Sequence, residues 1–160
     1  MKIDFGTAAV GSIATLAFVV PIIMIYLNSK KREKKAFKTL KNLAEKHNGK
    51  LNQLDSCADI FIGIDTENKM LFALNLEESP ENATIIELSE YKSCQAIETR
   101  NEYVLNNEKQ TLISKLELHF VAKNNGRDTK FVLFDLEKKS QLFGELQLAE
   151  RICKSVNTLM

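Results

Sequence analysis

The sequence predicts an α+β fold: an N-terminal transmembrane helix and an amphipathic linker helix, then a mostly antiparallel, curled sheet of six or seven strands and a C-terminal helix. Three observations lead to this prediction. A long charge-free apolar segment opens the 160-residue chain, short apolar runs between turn residues fill its middle, and an amphipathic stripe closes it. The predicted organisation is a transmembrane helix at 5–27, a basic juxtamembrane helix at 28–49 and a β-rich domain at 50–160.

The apolar segment at 5–27 contains no charged residue. As a helix rising about 1.5 Å per residue it would extend ~34 Å, enough to cross a hydrocarbon core of roughly 30 Å. Pro21 is tolerated in membrane helices, and Tyr26 lies near the membrane surface, where an aromatic ring with a polar tip is favoured. A cleaved signal peptide is the alternative, but the segment is longer than a signal-peptide apolar region and no small-residue cleavage site follows it.

Five cationic residues follow the apolar segment, and we name them the basic collar: Lys30, Lys31, Arg32, Lys34 and Lys35. Because Lys and Arg are enriched on the cytoplasmic side of membranes, the collar predicts a single-pass protein of the inner (cytoplasmic) membrane. Its N-terminus would lie outside and its C-terminal domain in the cytoplasm. Two roles are open for the collar: contact with anionic lipid head groups, at about 1 kcal/mol per cation, or fixing the topology alone.

The juxtamembrane segment is predicted to be helical from residue 30 to residue 48. Its stripe repeats at spacings of three and four: Phe37, Leu40, Leu43, Ala44 and His47. Asn48 and Gly49 end the helix, since Gly accepts the left-handed backbone of a C-terminal cap. We expect the stripe to pack on the domain that follows, with a partner protein as the alternative.

The strands of the domain are predicted from apolar runs and alternation, at 59–65, 69–74, 84–88, 93–98, 115–122 and 130–135. Turn residues predict hairpin connections at 66–68 and 124–126. Polar loops are expected at 77–82 and 102–109. A helix from about 140 to 159 closes the chain. Its apolar stripe consists of Leu142, Leu146, Ala149, Cys153 and Val156, widened by Phe143 and Ile152.

Two stretches of the domain resemble the bacterial pleckstrin-homology-like fold. The first is the hairpin IGIDTENKMLFAL followed by IIELSEYKSCQAIE, and the second is the strand pair LELHFVA and KFVLFDL followed by the C-terminal helix. The resemblance covers about 51–159 and implies a seven-strand curled sheet plugged at one end by that helix. Members that bind inositol phosphates use basic residues around the first hairpin loop. Here 55–59 reads DSCAD, which is acidic and disfavours that ligand.

Charge and cysteine usage narrow the classes of function. The formal net charge is +1, but the cations concentrate in the basic collar and the linker helix and leave the β-rich domain acidic. An acidic domain repels nucleic acid, so we expect no DNA or RNA partner. Cys57, Cys94 and Cys153 form no Cys-x-x-Cys motif and are odd in number, which favours reduced, partly buried thiols. A disulfide between two of them stays open.

No sequence motif predicts catalysis, a metal site or a cofactor. His47 and His119 have no Cys or carboxylate at metal-ligand spacing, and we expect both at the surface. The six glycines form no phosphate-binding loop. The chain is therefore interpreted as non-enzymatic, without catalytic, metal-binding or cofactor-binding residues.

The resulting hypothesis is a membrane-anchored cytoplasmic binding or scaffold module whose ligand the sequence does not identify. Its expected partners are the lipid bilayer and a protein segment bound at an exposed sheet edge. Two alternatives accompany it. One is a sensor of anionic membrane surfaces that acts through the basic collar, and the other is an accessory subunit of a membrane complex.

Overall fold

The computed structural model describes residues 5–77, 83–105, 108–124 and 126–160, with side chains at these positions except 5–16, 104–105 and 108. The helices of this part are α1 (Phe5–Lys46) and α2 (Glu145–Asn157). The strands are β1 (Gln53–Cys57), β2 (Ile60–Asp65), β3 (Met70–Asn75), β4 (Thr84–Glu87), β5 (Tyr91–Leu105), β6 (Glu108–Ala122) and β7 (Thr129–Asp135). The architecture is α+β with antiparallel sheets, as predicted.

The residues of both predicted N-terminal helices lie in the single helix α1, with Pro21 inside it. The chain divides between Ala36 and Phe37 into two compact units, and we call the second unit, Phe37–Met160, the domain.

Within the domain, the last turns of α1 bury the centre of the predicted stripe, whereas its last member, His47, is exposed. Leu40 and Ala44 are buried, and the ring of Phe37 meets that of Phe61 edge to face, with centroids 5.3 Å apart. Asn48 follows the helix with a φ of 56°, and Gly49 N donates to Ala44 O over 2.8 Å. Ala44 O also accepts the His47 N–H over 2.9 Å, so two donors that follow the last turn close the C-terminal end of the helix.

The seven described strands form two antiparallel sheets, with the orders β1-β2-β3-β4 and β5-β6-β7. The sequence predicted a single curled sheet, and this part of the prediction is wrong because the strands form two sheets. The reason lies in a short 3-10 helix, Leu88–Glu90, that separates β4 from β5. Leu88 is fully buried, and its N–H donates to Lys69 O over 2.8 Å. The chain therefore turns away from β4, and β5 starts a second sheet.

One hydrophobic core joins both sheets and α2. Its fully buried members include Ile62, Leu71, Leu116, Phe120, Leu148 and Ile152. Each such side chain contributes about 1.5–3 kcal/mol through burial, so the core is the main source of the domain's stability. α2 contacts β1, β5, β6 and β7, which makes it the element that covers the core from outside the sheets.

α2 begins later than predicted, at Glu145, because Gly144 adopts a φ of 121° that a helix cannot continue. The residues of α2 that are buried also differ from the predicted stripe. The apolar positions at its centre are Leu148, Ala149, Ile152 and Val156, whereas Leu146 and Cys153 are only partly buried.

Residues 102–109 were predicted to be a loop, but 102–105 and 108–109 belong to a long hairpin of β5 and β6. Glu102 pairs with Thr111 and Tyr103 with Gln110. β7 pairs only with Lys115–Phe120 of β6. The rest of the β5–β6 hairpin, which we call the outer hairpin, lacks this third strand and tolerates polar residues on both faces. The strand β1 was not predicted, since QLDSC shows no apolar alternation. Its pairing with β2 defines it.

The predicted turn at 66–68 is confirmed, and Lys69 supplies its positive φ of 53°. In the turn at 124–126, Asn124 has a φ of 49°, whereas residue 125 lies outside the described residues. Of the loop predicted at 77–82, positions 78–82 also lie outside them.

Candidate functional site

The apolar part of α1 is exposed along the whole of its described length. Nine large hydrophobic side chains are 42–76% exposed: Phe18, Val19, Val20, Ile22, Ile23, Met24, Ile25, Tyr26 and Leu27. Successive helical residues point about 100° apart, so these side chains surround the helix rather than forming one stripe. Soluble monomers rarely expose such a continuous apolar surface, which marks a membrane or protein contact.

Among the residues searched, no helix is both long enough and apolar enough to cross a membrane. The side chains at positions 5–16 of the predicted span lie outside the described ones.

The basic collar lies directly after this surface, on the same helix. All five of its cations are exposed. Lys30 Nζ lies 3.4 Å from Glu33 Oε2 and 5.9 Å from the centroid of the Tyr26 ring. An exposed pair of this kind contributes little stability, so Lys30 can exchange its partner for another anion. The exposed apolar side chains and the exposed cations of the collar are thus adjacent on one helix.

The β1–β2 turn corresponds to the loop where the resemblance would place inositol phosphate ligands. Asp55 accepts two hydrogen bonds from Arg151 of α2, from Nε over 2.8 Å and from Nη2 over 2.9 Å. The bond to Asp55 raises the pKa of the Arg151 guanidinium. Arg151 is thus paired with the Asp55 carboxylate of β1, so its guanidinium is engaged by an anion of the domain itself.

The two histidines lie at separate places in the domain. His119 Nε2 lies 2.9 Å from Asp128 Oδ2, while Asp128 Oδ1 accepts the Ala122 N–H over 2.9 Å. These bonds, that of Ala122 foremost, lower the pKa of Asp128. The pair closes the β6–β7 turn. His47 is exposed beside Phe72, with ring centroids 6.2 Å apart.

Across the described ranges, no three His, Cys, Asp or Glu side chains are grouped so that they could hold a metal ion.

A buried ion pair that the sequence did not reveal lies at the start of α2. Lys139 Nζ is 3.9 Å from Glu145 Oε1 and 3.7 Å from Glu77 Oε2. Glu145 is fully buried, and its Oε2 accepts the Phe143 N–H. These contacts connect the segment after β3 with the first turn of α2. Lone charges inside a protein are costly, so the pair acts as a structural unit.

A second feature missed by the sequence is a contact between two thiols. The Sγ atoms of Cys94 in β5 and Cys153 in α2 are 3.4 Å apart, although 59 positions separate the residues. The predicted strand and helix stripe place each cysteine towards the interior, but only the packing of α2 on β5 brings them together.

Comparisons with protein-family models, with curated proteins and with solved structures find no match to this chain.

Proposed function

We propose that this chain is a membrane-anchored binding module. α1 inserts its apolar segment into the bilayer and holds the domain at the cytoplasmic face of a bacterial inner membrane. The observation that supports this most directly is the all-round exposure of the nine hydrophobic side chains from Phe18 to Leu27, followed at once by the basic collar. Transfer of each large apolar side chain out of water yields about 1.5–3 kcal/mol, which a bilayer supplies.

The same proposal assigns the domain a pleckstrin-homology-like fold. The strand sequence supports it, because four antiparallel strands are followed by three and then by a helix that packs on the core. The acidic segment at 55–59, in which Asp55 of β1 is bound by Arg151, argues against an inositol phosphate ligand. The domain instead binds an extended protein segment at a sheet edge and catalyses no reaction of its own.

The edge strand β4 supports such binding. It pairs with β3 on one side, and the described strands provide no partner on the other. Ile85 of β4 is 37% exposed, which offers an apolar contact beside the free backbone groups.

Membrane extraction tests the anchor. We expect the full chain to stay in the membrane pellet after alkaline carbonate treatment. The double variant Phe18→Lys/Val19→Lys should be released, because these positions lie close to the midpoint of the predicted span and each charge near the bilayer centre costs about 2.5–3.5 kcal/mol. Phe18 and Val19 are 76% and 42% exposed, and Phe143 of the domain, 65% exposed, provides the matched control Phe143→Lys. Release of the unmodified chain, or equal release of the control, would contradict the proposal.

A second function, a sensor of anionic surfaces, is favoured by the exposure of all five collar cations. It predicts that the full chain associates more strongly with vesicles containing an anionic lipid than with neutral vesicles. Added salt should weaken this difference, because it screens exposed charges. A variant with Gln at the five collar positions should lose the difference. Equal association of the unmodified chain with both vesicle types would eliminate the sensor function and leave the anchor unaffected.

A further inference from the structure

Two thiols meet where the C-terminal helix packs on the second sheet. Cys94 of β5 is 2% exposed, whereas Cys153 of α2 is partly buried. Their Sγ atoms lie 3.4 Å apart, and both cysteines are free thiols. The contact depends on the tertiary fold, since the two residues are 59 positions apart in the chain.

Asn157 holds the two elements in register at this point. Its Oδ1 accepts the Cys94 N–H over 2.7 Å, and its Nδ2 donates to Cys94 O over 2.9 Å. Asn157 follows Cys153 by four residues, so both side chains project from the same face of α2. The helix therefore binds the backbone of Cys94 with one side chain and touches its thiol with another, which keeps the sulfurs adjacent.

We propose that Cys94 and Cys153 form an oxidation site at which a peroxide converts the thiol pair into a disulfide between β5 and α2. A disulfide bond measures about 2.05 Å, so the sulfurs must approach by only ~1.3 Å. Because Asn157 already fixes the backbone register, side-chain rotation rather than movement of α2 brings them together.

The reaction starts at Cys153, the more exposed thiol. The hydrogen bond from Cys94 lowers the pKa of Cys153, and the same bond together with burial raises the pKa of Cys94. The Cys153 thiolate attacks one oxygen of hydrogen peroxide and the O–O bond breaks. The leaving hydroxide takes up the proton that Cys153 lost, which yields a sulfenic acid and water.

The second step consumes the sulfenic acid. The Cys94 sulfur attacks the Cys153 sulfur, the S–O bond breaks, and the departing hydroxide takes the Cys94 proton to give a second water. In total, two thiols are oxidised to one disulfide while one peroxide is reduced to two waters. Thiol–disulfide exchange with two molecules of a small thiol such as glutathione restores both protein thiols, and the small thiol leaves as its own disulfide.

Cys57 provides an internal control. It is partly buried, and its Sγ donates to Phe143 O over 3.6 Å. Burial, together with the nearby Glu145 carboxylate, raises the pKa of the Cys57 thiol. A raised pKa reduces the thiolate fraction, and the thiolate is the reactive form. Cys57 should therefore stay reduced under conditions that oxidise the pair.

The test uses the full chain in a mild detergent, treated with hydrogen peroxide, alkylated at its remaining thiols and digested with trypsin. Cleavage after Lys and Arg separates the cysteines into SCQAIETR (93–100), ICK (152–154) and a peptide at 51–69 that contains Cys57. We expect SCQAIETR joined to ICK, with a mass lower by two hydrogen atoms than the sum of the two peptides. The 51–69 peptide should be alkylated.

Two variants and one comparison complete the test. Cys57→Ser should still form the linked peptide, and Cys153→Ser should leave Cys94 alkylated. The chain unfolded in urea shows whether the peroxide concentration suffices to oxidise these thiols. A pair that stays reduced in the folded chain but reacts in urea would overturn the proposal. A linkage to Cys57, or a linkage between two chains, would overturn it equally.

Discussion

At the scale of single residues, Asp65 organises the junction between α1 and the first sheet. This fully buried carboxylate accepts hydrogen bonds from Lys50 N, Glu67 N, Asn68 N and Asn68 Nδ2 over 2.8–3.0 Å. A Cβ atom at Gly49 would lie 2.6 Å from Asp65 Oδ2, so only Gly fits beside it. The charge of Asp65 is thus compensated entirely by donors of neighbouring turns.

Asp65→Asn should lower the free energy of unfolding by about 2–3 kcal/mol at neutral pH, because an amide nitrogen then faces backbone N–H donors. Urea denaturation of the full chain in a mild detergent measures this loss. Glu67→Gln removes a charge from an exposed side chain in the same turn and should change stability by no more than about 0.5 kcal/mol. Equal effects of both substitutions would contradict the structural role of Asp65.

The loss caused by Asp65→Asn should also depend on pH. Burial alone would raise the pKa of Asp65, but the hydrogen bonds from Asn68, Lys50 and Glu67 outweigh it and lower the pKa below 3.8. A depressed pKa stabilises the folded chain above the pKa of the unfolded state and ceases to do so as the pH falls through the folded value. The stability difference between Asp65→Asn and the unmodified chain should therefore shrink below about pH 4. A constant difference from pH 7 to pH 3 would argue against an ionised Asp65.

At the scale of elements, the strands and helices that the sequence predicts well are those with a regular spacing of apolar residues. The alternation of Leu116, Leu118 and Phe120 gave the central strand β6, and the stripe of Leu40 and Ala44 gave the packed end of α1. The strand β1 and the outer β5–β6 hairpin were missed, because their polar sequences become strands only through pairing with a partner elsewhere in the chain. The thiol contact was missed for the same reason. The sequence indicates which face of a strand or helix a residue lies on, but only the packing of the two elements determines which residue it contacts.

β6 pairs with β5 along its whole length but with β7 along only part of it, which predicts that the long β5–β6 hairpin is unequally stable along its length. β7 pairs with Lys115–Phe120 but leaves the outer part of the hairpin with a single partner strand. Isolated two-stranded hairpins are marginally stable in water. Amide hydrogens at 100–103 and 109–112 should therefore exchange much faster than those at 116–120, as hydrogen exchange with mass-spectrometric detection can measure. Equal protection of both parts would show that something else supports the outer hairpin.

At the scale of the whole molecule, the chain combines an α1 segment with exposed apolar side chains and a domain with a complete core. The sequence predicted a membrane segment and a basic collar from the length of the charge-free stretch and from the cations that follow it. In the structure, nine hydrophobic side chains of this stretch are exposed all around the helix. The sequence could not indicate a ligand, because the groups that recognise a ligand come together only in the folded chain. The central proposal is that these parts form a tethered module with the domain on the cytoplasmic side.

Protease digestion of membrane vesicles of both orientations tests this proposal most directly. The full chain is expressed in bacteria, and right-side-out and inverted inner-membrane vesicles are treated with trypsin. We predict that the domain, Phe37–Met160, is digested only in inverted vesicles, where the cytoplasmic face is accessible. In right-side-out vesicles it should remain intact until detergent opens the membrane. Digestion in right-side-out vesicles, or recovery of the chain in the soluble fraction, would contradict the account.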